Sequence, residues 1–75
     1  MMGKNPTPPQ LVLRQSEHGS ENMYEGHQQL RRQGIPLPVI QKFERVVYEN
    51  RTPGSGQVAP FVAGADAIGA ELHWI

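Results

Sequence analysis

Apolar and polar positions along the chain show one strongly periodic region, Glu21 to Asn50, flanked by shorter apolar runs. Met23, His27 and Leu30 recur at i, i+4 and i+7, a spacing that predicts a helix over about 21–33. Ser20 suits the N-cap of that helix and Glu21 puts negative charge near its positive end. Arg31 and Arg32 place cations in the last turn, and Gly34 supplies the left-handed residue that commonly follows one. Val39, Ile40, Phe43, Val46 and Val47 then repeat at three and four, with Gln41, Lys42, Glu44, Arg45 and Glu49 between them. This stripe predicts a second helix over about 38–50, with Pro38 in its first turn, where a missing N–H costs nothing. The corner between the two helices is Gly34-Ile35-Pro36-Leu37-Pro38.

Outside this region the pattern is shorter-ranged. Residues 1–9 carry three prolines and read as a flexible arm. Gln10 to Arg14 is a strand-like run that needs a partner, either in this chain or in another protein. Gly26, inside the first helix, fits a close approach of another element or a weak helix. Val58 to Val62 is apolar but cut by Pro60, which restricts it to an edge strand or an irregular segment. Gly64 to Ala70 is rich in small residues and reads as a flexible link. Glu71 to Ile75 is an amphipathic tail that folds back as an edge strand or anchors a partner through Trp74. Val58–Val62 and Glu71–Ile75 are both candidate partners for the first strand. The expected fold is small α+β or mainly α: a helix-turn-helix-like hairpin, a short strand near 10–14 and loosely ordered termini. The domain spans 10–62, and 63–75 forms a link and an apolar tail. Core candidates are Leu13, Met23, Leu30, Ile35, Ile40, Phe43, Val46 and Val47.

Composition narrows the function. A chain of 75 residues holds one small domain, whose single core is marginal. There is no cysteine, so neither a disulfide framework nor a thiolate zinc site is available, and a cytoplasmic location is expected. No run approaches the roughly 18 apolar residues of a membrane helix, so no membrane partner is expected. Seven basic against seven acidic residues do not favour a protein that lives by phosphate contacts. Charge is uneven, however, with Arg31, Arg32, Lys42, Arg45 and Arg51 outweighing Glu44 and Glu49 between Gln28 and Arg51.

Candidate chemistry is sparse. Ser16, Glu17 and His18 look like triad parts, but a triad is defined by geometry, not by adjacency. His18, His27 and His73 lack the i, i+4 spacing of a metal-binding pair. Pro53-Gly54-Ser55-Gly56 lacks the lysine of a phosphate loop, and Gly64 to Gly69 lacks the strand unit of a dinucleotide fold. A non-enzyme with no cofactor and no metal is expected.

Gly34-Ile35, Ile40 and Phe43-Glu44 together resemble the helix-turn-helix of the phage-repressor family. The chain departs from that pattern at Gln29 and Leu30 and in its two turn prolines. The resemblance implies a recognition helix with Leu37 and Pro38 near its exposed side and with Gln41, Lys42 and Arg45 as DNA contacts. In size, lack of cysteine, proline-bearing termini and a short helical centre, the chain is also similar to small phage-encoded proteins that bind host RNA polymerase. That similarity implies an inhibitor or antiterminator working in the host cytoplasm, and it transfers no functional residue. The leading expectation is a protein–protein interaction module for a larger host complex, possibly RNA polymerase, with Leu11, Leu13, Arg31, Arg32, Lys42, Arg45 and Trp74 as partner-binding candidates. The Leu11–Leu13 edge would extend a partner's sheet. The alternatives are a helix-turn-helix DNA-binding regulator and a structural or assembly component of a virion.

Overall fold

In a computed structural model, which describes residues 7–15, 19–51 and 58–75, the elements run β1 (Gln10–Leu13), α1 (Gly19–Arg32), α2 (Leu37–Glu49), α3 (Val58–Ala67) and β2 (Glu71–Trp74). The fold is small α+β, one of the two classes the sequence predicts. Helix α1 begins at Gly19, so Ser20 falls within its first turn. Its end follows the sequence expectation: Gly34 has φ 79°, its N–H donates to the Arg31 carbonyl (3.0 Å), and the Ile35 N–H reaches back to the Leu30 carbonyl (3.1 Å). This is a Schellman closure, in which the left-handed glycine lets two late carbonyls find donors. Gly69, at φ 69°, ends α3 by the same bonds: its N–H donates to Asp66 and that of Ala70 to Ala65 (2.9 Å).

Pro36 is the N-cap of α2 and Pro38 lies in its first turn. Ile40, Phe43 and Val47 are its buried face, while Val46 sits only half-buried. These three side chains meet Leu11, Leu13, Leu30, Phe61 and Ala65 in one core, with Met23 and Ile35 packed at its margin. Phe43 and Phe61 are the largest members, their ring centroids 6.3 Å apart and tilted by 47°. Two glycines set the helix spacing. A Cβ on Gly26 would lie 3.2 Å from the Phe43 ring, so α1 rides close over α2. A Cβ on Gly64 would lie 2.5 Å from Val47 Cγ2 and 3.1 Å from the Phe43 carbonyl oxygen.

The C-terminal third departs from the sequence reading. Val58–Val62 is not an edge strand or an irregular segment but the start of α3, and residues 63–67, read as a link, complete that helix. Pro60 falls in the first helical turn, where its missing N–H has no acceptor to lose. The ring is then free to fill the core. Ser16, Glu17 and His18 and the Pro53-Gly54-Ser55-Gly56 run lie outside the described residues, as do residues 1–6 of the expected arm.

Of the two candidate partners for β1, the chain uses the tail. β1 and β2 pair in parallel, with Gln10 opposite Glu71 and Leu13 opposite Trp74. The Glu71 N–H donates to Pro9 (2.7 Å) and the Ile75 N–H to Leu13 (2.9 Å). The opposite edge of β1 is not open either. Gln33 receives the Gln10 N–H on Oε1 (2.7 Å) and returns its Nε2 to the Gln10 carbonyl (2.8 Å). Gln29 does the same at Val12 (2.8 and 2.9 Å), and Asn22 at Arg14 (3.4 and 2.6 Å). Alternate strand residues thus meet three side-chain amides spaced seven and four apart on one face of α1. The amides stand in for a third strand.

Two substitutions test this packing in opposite senses. Phe43→Ala costs about 3–5 kcal/mol and leaves so small a domain unfolded or nearly so in a urea melt followed by circular dichroism. Gly64→Ala would stabilise an exposed helix by about 1 kcal/mol, yet here it lowers the melting midpoint, because forcing a methyl against Val47 and the α2 backbone costs about 1–3 kcal/mol.

Candidate functional site

The structure separates the expected site residues into two groups. Leu11 and Leu13 are 0 % and 1 % exposed, so neither side chain can seat a partner. The expectation that their strand extends a partner's sheet is corrected as well, since β2 takes one backbone edge and the α1 amides take the other. Trp74 is half-buried and packs on the core from β2. Arg31, Arg32, Gln41, Lys42 and Arg45 are all exposed.

The exposed group is built on α2. At 100° per residue, Leu37, Pro38, Gln41, Lys42, Arg45, Tyr48 and Glu49 fall within an arc of about 140°, and every one is exposed. Ile40, Phe43 and Val47 anchor the opposite side, so core packing fixes which way this face points. Arg45 sits near the middle of the arc, with Gln41 and Pro38 beside it. Leu37 (46 % exposed) and Tyr48 (71 %) lie at one margin of the arc, eleven residues and about 16 Å apart along the axis. Two apolar side chains thus stand near the ends of the helix, with Lys42 and Arg45 between them along its axis. Arg31 and Arg32, at the C-terminal end of α1, add charge across the corner from the start of α2.

Sequence reading misses Tyr48 as a surface residue. The signal is present nonetheless: Tyr48 falls three residues after Arg45 and seven after Gln41, off the Ile40–Phe43–Val47 stripe. Gln41, Lys42 and Arg45 share the outer side of the second helix.

A second cluster lies where α1 crosses α2. His27 Nδ1 is 2.8 Å from Glu44 Oε2, both side chains roughly three-quarters buried or slightly less. The pair borders a cleft of about 470 Å³ lined also by Met23, Tyr24, Gln28 and Arg51. This contact ties the two helices and turns Glu44 away from the outer face of α2. The cationic centre of that face is thereby relieved of one acid. A wider groove of about 940 Å³ runs past the amide-closed edge of β1, between Val12, Tyr24 and Ile75. Among the described residues, no three His, Cys, Asp or Glu side chains converge as metal ligands. No described helix is long and apolar enough to cross a membrane.

The two groups respond differently to truncation. Lys42→Ala, Arg45→Ala and Tyr48→Ala each leave stability within about 0.5 kcal/mol of the parent, whereas Leu11→Ala or Leu13→Ala costs about 2–5 kcal/mol, as read from urea midpoints. Comparison of the chain with protein-family models, with curated proteins and with solved structures gives no match.

Proposed function

We propose that the chain is a small non-enzymatic protein–protein interaction module that docks the outer face of α2 on a larger macromolecular machine and modulates it. The composition of that face carries the reading: exposed Tyr48 and Leu37 bracket Lys42 and Arg45. Tyrosine and arginine supply a large share of binding energy at protein interfaces, and aromatic anchors around cations suit an acidic surface with apolar pockets. Arg31 and Arg32 steer the approach. Bacterial RNA polymerase is the favoured machine, on the chain's similarity in size and make-up to phage-encoded polymerase-binding regulators.

A helix-turn-helix DNA regulator is the second reading, favoured by the exposure of Gln41, Lys42 and Arg45 on the helix after a glycine corner. Glu49 on the same face and the neutral charge of the chain weigh toward protein. Salt separates the two, because each phosphate contact releases counterions and steepens the dependence.

The test is binding of the nuclease-treated chain to purified bacterial RNA polymerase by biolayer interferometry. The interaction reading predicts saturable binding, weakened about tenfold or more by Tyr48→Ala and by Arg45→Ala. No binding to polymerase, with steeply salt-dependent binding to duplex DNA that Lys42→Ala weakens and Tyr48→Ala does not, replaces it with the DNA reading.

A further inference from the structure

Strand β2 differs from β1 in one respect. In a parallel pair the N–H and C=O of alternate residues point to opposite edges. Glu71 and Ile75 donate to Pro9 and Leu13, so Glu71, His73 and Ile75 face β1, and the backbone groups of Leu72 and Trp74 face outward. Helix α1 supplies amides to the outer edge of β1 alone. Side chains alternate too: Glu71 and His73 share the outer face of the sheet with Gln10, and Leu72 and Trp74 lie toward the core. Gln10 holds the outer pair in place. Its Nε2 donates to Glu71 Oε1 (3.1 Å), and its Oε1 lies 3.0 Å from His73 Nε2.

We propose that this edge pairs with the same edge of a second copy, antiparallel about a two-fold axis at Leu72. The strand is self-complementary in that register. Leu72 meets Leu72 of the second copy and exchanges two backbone hydrogen bonds with it. Glu71 of each chain stands opposite His73 of the other, in the non-hydrogen-bonded positions where side chains approach most closely. Trp74 stands opposite Ala70, and its N–H can donate to the Ala70 carbonyl. The Ala70 N–H is already committed to Ala65. On the inner face Leu72, Ala70 and Trp74, all half-buried in the single chain, meet their counterparts and join the two cores.

The competing register, centred on His73, also forms four backbone bonds. It places His73 against His73 and Glu71 against Ile75, so it loses both acid–imidazole pairs. Acid–imidazole pairing therefore selects the register centred on Leu72. The dimer has a four-stranded sheet with helices over one face, and its assembly does not depend on what α2 binds.

The test is sedimentation equilibrium of the full chain and three variants over a concentration series. The parent fits a reversible equilibrium between 8.4 kDa and twice that mass. Glu71→His and His73→Glu each weaken the dimer about tenfold, since each puts like groups opposite one another twice per dimer. The double variant, carrying both changes, restores it, because the pairs are exchanged rather than lost. In the competing register the double variant would set two carboxylates face to face. A parent that stays monomeric throughout, a dimer indifferent to the single changes, or a double variant no better than the singles overturns the proposal. Far-ultraviolet circular dichroism of each variant confirms that the compared chains are folded.

Discussion

Strand β1 has both of its backbone edges occupied, one by β2 and one by three side-chain amides of α1, and the remainder of the fold depends on that double pairing. A parallel pair of four-residue strands has too little hydrogen bonding and too little area to stand alone. Here Asn22, Gln29 and Gln33 supply six further backbone contacts to alternate residues of β1. Each is worth about 0.5–1.5 kcal/mol net, and the larger effect is geometric. Bidentate contacts at Gln10, Val12 and Arg14 fix how far α1 sits along the strand. Gly26 falls between Asn22 and Gln29 on the same side of the helix, where the absent side chain lets α1 close over Phe43 and Leu11. Leu11 and Leu13 must then point inward.

From that arrangement the two surfaces follow. With β1 sealed, the sheet backbone left without a partner among the described residues is the outer edge of β2. With Ile40, Phe43 and Val47 committed to the core, α2 has one orientation, and its Tyr48–Arg45–Lys42 side faces outward. The His27–Glu44 contact braces α1 against α2 and removes an acid from near that cationic side. In the proposed role α2 is docking face and core wall at once, which would tie recognition to folding: substitutions on the outer arc would act on binding, and those on the inner arc on the whole domain.

The legible parts of the sequence are the local ones. The α1–α2 hairpin, the Gly34 corner and four of the buried side chains (Leu30, Ile40, Phe43 and Val47) follow from a 3.6-residue period and breaker chemistry, and Leu13 follows from a strand-like run, information that lies within a few turns. Gln41, Lys42 and Arg45 are read correctly as outer-face residues for the same reason. Helix α3 is obscured because Pro60 suggests an edge strand and Gly64 a link, although proline suits a first helical turn and the glycine serves a close contact with Val47. The tail is legible as one of two candidate partners for β1, but a pairing that spans about sixty residues leaves no local mark that selects it or sets its parallel sense. The amide ladder is hidden for another reason: glutamine and asparagine read as solvent-facing, and only their spacing along one face of α1, beside the buried Leu30, hints that they address a strand. Misreading that face is what makes Leu11 and Leu13 look available to a partner.

The most direct measurement is native-state amide hydrogen exchange at Val12 by NMR. Its N–H points away from β2, and its acceptor is Gln29 Oε1 at 2.8 Å. Val12 should be protected in the parent chain, and Gln29→Ala should speed its exchange roughly tenfold while the β2-directed amides of Leu11 and Leu13 stay protected. A Val12 amide that exchanges as freely as an unstructured one in the parent, or one whose protection survives Gln29→Ala, would contradict the central place given to the side-chain amides.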